Sequence, residues 1–183
     1  ADTGRSTLAP LGFNNTFAIL VRAADARALG LTRLSQLGGH APAWRAAFGY
    51  EFLERPDGYN GLAEVYGLRF REAPRSMDLT LTYRALADRQ VDVIAGDSTA
   101  GLIDALDLFM LEDDRRYFPP YDAIPVVHAA TLLRHPDIGA AIARVSGRVT
   151  AEVMRRMNAA VDAGREDPSA VVSAFLDTLD RGV

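Results

Sequence analysis

The most informative part of the hydrophobic pattern lies near the start of the chain, where the apolar run Ala18 to Val21 follows two amides and a hydroxyl. Such runs are typical of strands buried inside an α/β sheet, so the pattern predicts a strand within Leu11–Arg22. Open α/β folds place ligand contacts at the mouths of such strands. On spacing alone the pattern favours a strand that is entered through an asparagine turn, and both interpretations stay open at this point.

Downstream of this strand, short apolar runs alternate with segments of helical periodicity. Further strands are predicted at Trp44–Phe48, Leu68–Glu72, Val91–Ala95 and Leu108–Leu111. Helices are predicted at Ala23–Leu29, Gly58–Tyr66 and from Asp78 to about Asp88, and Glu51–Pro56 is predicted to be a connection. Asp57 and Asp78 are suitable N-caps for the second and third of these helices. This alternation predicts a mainly parallel sheet with right-handed crossovers.

The pattern changes near Tyr121–Ala129, which is the best candidate for a boundary. A short strand at Pro125–His128 is followed by four predicted helices, at Thr131–His135, Pro136–Val145, Thr150–Ala163 and Pro168–Leu179. The last two helices have apolar faces that need a cover, so we expect them to pack on the first part of the chain or against a second copy. Residues 1–10 are small and polar, which predicts a frayed lead-in.

Composition limits the classes of function. The chain has 183 residues, of which 49% are hydrophobic and 24% charged, which suits one good core or two small lobes. A net charge of −4 without a basic block argues against a nucleic-acid partner. The absence of cysteine excludes disulfides and thiolate metal sites, and all 20 basic residues are arginine, which excludes lysine chemistry. No apolar run approaches the ~18 residues of a membrane span, and no secretion signal is visible.

The sequence contains no convincing catalytic or metal-binding motif. Its histidines lack a ligand spacing. Ser98 lies in Asp97–Gly101 rather than in a nucleophile elbow, and it suits a helix cap better. The acidic residues 112–114 fit a solvated turn, and there is no glycine-rich phosphate loop. We therefore expect neither an enzyme nor a bound metal or cofactor.

Two other groups of residues suggest a binding site. Arg55 lies between Glu51 and Pro56, and a guanidinium in a cleft suits a carboxylate ligand. Phe17 and Tyr121 lie at strand mouths, where aromatic faces attract quaternary ammonium groups. The alternatives are a surface ion pair for the charged residues and core packing for the rings.

Taken together, several stretches resemble one known family. They are Leu11-Gly12-Phe13-Asn14-Asn15-Thr16-Phe17, residues 51–59 (EFLERPDGY), residues 91–101 (VDVI through STAG), and residues 111–123 with their FPPYDA segment. In order and spacing they are similar to the glycine betaine, choline and carnitine substrate-binding proteins of bacterial ABC transporters. The resemblance runs from about Leu11 to the C-terminus.

The resemblance implies an α/β, type II periplasmic-binding-protein-like fold that closes on its ligand. It implies one nearly complete lobe with a central mixed sheet, residues 11–122, and a helical segment of the other lobe, residues 123–183. In this family an aromatic cage holds the trimethylammonium group. The resemblance assigns Phe17 and Tyr121 to cage walls, Asn15 to a place beside them, Arg55 to the carboxylate and Glu51 to orienting Arg55.

The sequence departs from the family pattern at two places. Phe17 stands where tyrosine is usual, and Asp97 stands where many members have a cage aromatic, so the cage is weaker. Family members also carry a further segment before the Asn-Asn-Thr strand, and its absence implies that part of one lobe is missing.

The resemblance implies a solute-binding component of an ABC importer for quaternary-ammonium osmolytes, outside the cytoplasm, with a membrane permease as partner. A homodimer through the C-terminal helices is a further expectation. The alternative is a ligand-sensing domain of the same fold, which a fused DNA-binding segment would favour.

Overall fold

A five-stranded mixed sheet is the centre of the computed structural model, which describes residues 4–181. The strands are β1 (Arg5–Thr7), β2 (Phe17–Arg22), β3 (Ala46–Gly49), β4 (Arg75–Met77), β5 (Val93–Asp97), β6 (Leu108–Met110) and β7 (Val126–His128). The five-stranded sheet has the order β4-β3-β5-β2-β6, while β1 and β7 form a separate antiparallel ribbon.

Strand direction explains why several chain segments meet at one edge of this sheet. β3 runs parallel to β4 and β5, whereas β2 runs antiparallel to both β5 and β6. The C-terminal ends of β3 and β5 therefore lie at the same edge as the N-terminal end of β2. The expectation of a mainly parallel sheet is wrong for β2, and the mixed sheet implied by the family resemblance is confirmed.

The helices follow the strands closely in sequence. They are α1 (Ala23–Leu29), α2 (Tyr50–Glu54), α3 (Tyr59–Tyr66), α4 (Leu79–Ala87), α5 (Leu102–Ala105), α6 (Ala129–Arg134), α7 (Asp137–Val145), α8 (Ala151–Asp162) and α9 (Pro168–Asp180). Short 3-10 helices cover Leu34–Gly39 and Ala41–Ala43. None of the helices in residues 4–181 combines the length and apolar character needed to cross a membrane.

Local capping fixes several helix ends, among them the Asp78 cap that the sequence predicts. The side chain of Asp78 accepts a hydrogen bond from the backbone N–H of Thr80 at 2.9 Å, which begins α4. Thr150 and Asp167 cap α8 and α9 in the same way. α1 ends at Gly30, whose φ of 66° is the left-handed conformation that favours glycine.

The core lies on both faces of the sheet, because side chains alternate along each strand. Ile19 and Val21 of β2 belong to a cluster with α1, α2 and α3, whereas Ala18 and Leu20 belong to a second cluster with α4 and α5. Burial on both faces explains why this strand is a continuous apolar run rather than an alternating one.

Several local predictions are wrong. Leu68–Glu72 is not a strand: Leu68 is buried at 4% exposure, but the strand that pairs with β3 is the polar β4 further along the chain. The predicted connection at Glu51–Pro56 is partly helical, because α2 includes Glu51 to Glu54. The predicted cap at Asp57 is also wrong, since no side chain caps the start of α3. The predicted lead-in contains β1, and the part at residues 1–3 lies outside the described residues.

The four predicted C-terminal helices are confirmed as α6 to α9, and none of them contains a buried residue. α8 contacts the rest of the chain through α5. Arg155 and Asn158 donate hydrogen bonds to the carbonyl oxygens of Ser98 and Thr99, at 3.1 and 2.8 Å. A side chain at Gly101 would overlap the backbone of α8, so glycine permits this close approach.

Candidate functional site

The candidate site forms where three strand ends meet at one edge of the sheet. Phe17 is the first residue of β2, Asp97 is the last residue of β5, and the two are directly paired across the antiparallel strands. α2 starts immediately after β3 and brings Glu51, and then Arg55 at its C-cap, to the same edge. The fold thus converges on this edge from segments that are far apart in the sequence.

A small hollow of about 140 Å³ lies at this edge. It is lined by the six residues that the sequence analysis selects, Asn15, Phe17, Glu51, Arg55, Asp97 and Tyr121. Drug-sized ligands usually occupy pockets of ~300–1,000 Å³, so this hollow suits a small solute or one group of a larger solute.

Arg55 is the centre of a hydrogen-bonded cluster beside the hollow. Its Nε and Nη2 groups donate to the two carboxylate oxygens of Asp57, each at 2.8 Å. Nη1 donates to Glu51 Oε1 at 3.1 Å, and Nη2 also donates to the hydroxyl of Tyr121 at 2.5 Å. This two-pronged pairing fixes the plane of the guanidinium.

Electrostatics keep the Arg55–Asp57 pair ionised. Hydrogen bonds from Arg55 and from the hydroxyl of Tyr121 hold the pKa of Asp57 well below its usual range. The hydrogen bond to Asp57 likewise raises the pKa of Arg55 above its ordinary value, despite an opposing effect of burial. Both groups therefore carry full charge at neutral pH.

The aromatic rings and the guanidinium share one space. The guanidinium carbon of Arg55 lies 5.6 Å from the ring centre of Phe17 and 5.8 Å from that of Tyr121, within cation–π range. Phe17 also packs edge-on against Phe52, with 4.9 Å between the ring centres. The structure thus brings the predicted cage residues and the predicted arginine together at one place.

An extended segment positions Tyr121. Pro119 and Pro120 precede it and restrict the backbone to extended conformations. The backbone N–H of Tyr121 donates to Asn14 Oδ1 at 2.6 Å, and its carbonyl oxygen accepts from the N–H of Asn15 at 3.0 Å. The Asn-Asn pair therefore holds this segment against the start of β2.

Asp97 is the least satisfied charged group of the site. Its backbone N–H donates to the hydroxyl of Tyr83 at 3.1 Å, but its carboxylate has no hydrogen-bond or ion-pair partner within residues 4–181. Burial, reinforced by the negative charge of Glu51, raises the pKa of Asp97 above its ordinary value. Asn15, on the other side, accepts a hydrogen bond from the hydroxyl of Thr99 at 2.5 Å.

Sequence reasoning missed Asp57 as a member of the cluster. The pair Asp57-Gly58 before a helical pattern suggests an N-cap, but the neighbouring guanidinium competes for the carboxylate and binds both of its oxygens. The signal in the sequence was that Asp57 follows Arg55 by two residues, with Pro56 between them. No local pattern indicated Tyr83, which contacts Asp97 from α4.

A larger hollow of about 970 Å³ shares the wall formed by Phe17 and extends along the edge strand β6. Most of its lining is apolar. We place the candidate site in the smaller hollow because aromatic, cationic and anionic groups meet there.

The described residues contain no group of three or more histidine, aspartate or glutamate residues arranged to hold a metal ion.

Comparison with known proteins identifies the family. Residues 1–178 match the substrate-binding domain of ABC-type glycine betaine transport systems. The chain is 32% identical over 166 residues to the carnitine transport binding protein OpuCC of Listeria monocytogenes, covering 90% of this chain and 54% of the relative. It is 35% identical over 179 residues to a glycine-betaine-binding protein of Pseudomonas aeruginosa, covering 92% and 58%. The chain thus spans about half the length of these relatives.

The solved structures agree with the sequence relatives. The fold superimposes with a TM-score of 0.89 on a glycine betaine/carnitine/choline ABC transporter protein that is 33% identical, covering 96% of this chain and 64% of that one. It superimposes with a TM-score of 0.78 on apo YehZ of Escherichia coli, 26% identical, covering 96% and 66%. The fold is that of the type II periplasmic binding proteins, and the chain belongs to the family of substrate-binding domains of ABC-type glycine betaine transport systems.

Proposed function

We propose that this chain is the solute-binding component of an ABC importer, or a part of it, and that it binds small solutes carrying a quaternary ammonium group. The observation that carries the proposal is the hollow in which two aromatic rings and three acidic or amide side chains surround one space beside Arg55. The compounds in the names of its relatives, carnitine, glycine betaine and choline, all contain a trimethylammonium group. In this role the chain works outside the cytoplasm and delivers its solute to a membrane permease.

The physical basis of the binding is the attraction between a cation and the face of an aromatic ring. Such a contact contributes ~0.5–1 kcal/mol when exposed and about 2 kcal/mol or more when desolvated. A quaternary ammonium ion cannot donate a hydrogen bond, so rings and carboxylates are the groups that can recognise it. Phe17, Tyr121 and Asp97 supply these groups at the hollow.

Arg55 is the proposed partner for solutes that also carry a carboxylate, with Glu51 orienting it. A guanidinium has five N–H groups, and the hydrogen bonds to Asp57, Glu51 and Tyr121 use four of them. The fifth N–H has no partner within residues 4–181 and is available to a ligand. Replacement Arg55→Ala is expected to weaken the binding of glycine betaine more than that of choline, which has no carboxylate.

The proposed organisation assigns residues 11–122 to one ligand-binding lobe and residues 123–183 to the other. The support is that the five-stranded sheet uses residues 17–110, whereas residues 129–180 form helices. In that arrangement the hollow lies at an edge of the first lobe, where a second lobe could close over it.

The experiment that tests the function is ligand-observed NMR with choline and with its carbon isostere, in which a quaternary carbon replaces the nitrogen. Saturation transfer from the protein to choline is expected with the unmodified chain and should disappear with Tyr121→Ala. The neutral isostere is expected to bind much more weakly, because it has the shape of choline but lacks the positive charge that the ring faces attract. Tyr121→Phe keeps the ring and serves as the matched control, and thermal denaturation checks that each variant is folded. Equal binding of choline and the isostere would contradict the proposal.

A further inference from the structure

The balance of charge around the hollow is negative. Among the residues that the structure describes, three carboxylates, those of Glu51, Asp57 and Asp97, lie in or beside it, against the single guanidinium of Arg55. Glu51 and Asp57 both pair with that guanidinium. Two negative charges thus already neutralise the one positive charge before any ligand binds. With Asp97 included, the site has a net charge of −2.

Asp97 carries the uncompensated charge closest to the hollow. Its carboxylate has no partner within residues 4–181, yet it borders three adjoining hollows of about 140, 310 and 360 Å³. A carboxylate that is partly buried without a cation is costly, and burial with the nearby Glu51 raises its pKa. A bound cation would remove this cost.

The register of the sheet places this carboxylate beside the ring that would hold a cation. Phe17 and Asp97 are direct partners between β2 and β5, so their side chains are on the same face and their Cβ atoms are ~4.5–5.5 Å apart. A cation on the Phe17 ring would therefore lie within a few ångströms of the Asp97 carboxylate. A ligand carboxylate at the same place would be repelled.

Arg55 offers little compensation for a ligand carboxylate. Asp57 holds both Nε and Nη2 at 2.8 Å, so the two-pronged face that would suit a ligand carboxylate is already used. A zwitterionic ligand would have to displace Asp57 or accept a single N–H. The site thus offers Phe17 and Asp97 to the cationic end of a solute, whereas Arg55 offers its anionic end at most one free N–H.

We propose that Asp97 makes this site selective for solutes with a net positive charge, such as choline, over zwitterions such as glycine betaine. The inference rests on the proposed function, since it assumes that quaternary-ammonium solutes occupy this hollow. Asp97 is then the residue that determines specificity, by neutralising the ligand charge next to Phe17.

The test compares three probes by titration calorimetry on this chain: tetramethylammonium, choline and glycine betaine. All three carry a methylated ammonium group, but only glycine betaine carries a carboxylate. Choline is expected to bind about tenfold more tightly than glycine betaine, because a single charge contact in a partly desolvated site is large enough for that factor. Tetramethylammonium has no hydroxyl, so it separates the contribution of charge from that of a hydrogen bond to Asp97.

The decisive variant is Asp97→Asn, which keeps the shape and removes the charge. It is expected to reduce the affinity for both cations about tenfold and to leave that for glycine betaine unchanged or higher. Glu54→Gln removes an exposed acidic charge from α2 outside the hollow and is the matched control. Equal or tighter binding of glycine betaine by the unmodified chain, or equal losses for all three probes in Asp97→Asn, would overturn the inference. Failure of all three probes to bind would instead overturn the proposed function.

Discussion

Asp57 binds Arg55 through both of its carboxylate oxygens, at 2.8 Å each, and it also accepts a hydrogen bond from the hydroxyl of Tyr121 at 2.7 Å. This arrangement makes Asp57 the internal substitute for a ligand carboxylate. Its side chain is one-quarter exposed, whereas that of Glu51 is three-quarters exposed at 74%. Asp57 is therefore the stronger of the two competitors for the guanidinium.

Replacement Asp57→Asn is expected to change ligand preference. The loss of one negative charge and of one acceptor oxygen frees part of the guanidinium fork for a ligand. The ratio of choline affinity to glycine betaine affinity should fall about tenfold, or ~1.4 kcal/mol. Calorimetry with both ligands measures the ratio, and an unchanged ratio in a folded variant would show that Arg55 does not discriminate between them.

The buried Arg22 is expected to be important for stability rather than for binding. It is 9% exposed, and its Nη1 group donates to the carbonyl oxygens of Leu86 and Val91, at 2.8 and 2.5 Å. Its Nη2 group pairs with Asp92 at 3.0 Å. Arg22→Ala removes these bonds, whereas Asp92 keeps Arg45 as its partner. The substitution should therefore cost about 1–3 kcal/mol in the free energy of unfolding.

Urea denaturation with Arg27→Ala as the control tests this prediction. Arg27 lies in α1, its ion pair with Asp107 is 3.5 Å long, and both side chains are more than two-thirds exposed. Such pairs contribute ~0–1 kcal/mol. Similar losses for the two variants would mean that the Arg22 cluster is not a major source of stability.

The contact between α8 and residues 98–101 depends on Gly101. A Cβ atom there would overlap the backbone at Asn158 and Ala159. Gly101→Ala is therefore expected to move α8 away and to break the hydrogen bond from Asn158 to the Thr99 carbonyl. Hydrogen exchange of the α8 amides should become faster, whereas Gly39→Ala should have no effect on α8, because no atom lies within 4 Å of the added group. Unchanged exchange in Gly101→Ala would show that α8 is held by other contacts.

The binding of a cation is expected to weaken in acid. A cationic ligand prefers the ionised form of Asp97, so affinity is complete above the pKa of Asp97 and is lost as the pH falls through it. Because this pKa is raised, the loss should begin at a higher pH than for an ordinary aspartate. The titratable and charged groups around Asp97 are Glu51, Arg55, Asp78 and Asp162, together with the tyrosines Tyr50, Tyr83 and Tyr121.

The pH profile of Asp97→Asn isolates this effect. Between neutral and mildly acidic pH, tetramethylammonium affinity should fall in the unmodified chain and stay nearly constant in the variant. Tetramethylammonium itself does not titrate, so any slope belongs to the protein. Parallel profiles for the two proteins would show that the titration does not belong to Asp97.

Much of the fold could be predicted because local patterns determine it. The apolar run of β2 and the capped helices α8 and α9 contain their own signals. β4 has no such signal: it is a polar edge strand that pairs with β3 through backbone hydrogen bonds. The direction of β2 depends on its pairing with β5, about 75 residues away, which no short window of sequence reveals.

The site was predicted from the resemblance to a family rather than from spacing. The alternative of a surface ion pair for Arg55 and core packing for Phe17 and Tyr121 was also compatible with the sequence. The structure brings them together because β2 and β5 are antiparallel and α2 follows β3. The role of Asp57 depends on a competition between capping and ion pairing, which local sequence does not decide.

The most direct test of the central claim is a crystal structure of this chain with choline. We expect the nitrogen of choline to lie within about 6 Å of the ring centres of Phe17 and Tyr121, with the Asp97 carboxylate beside it. Choline in the large hollow along β6, or on a surface away from these three side chains, would contradict it.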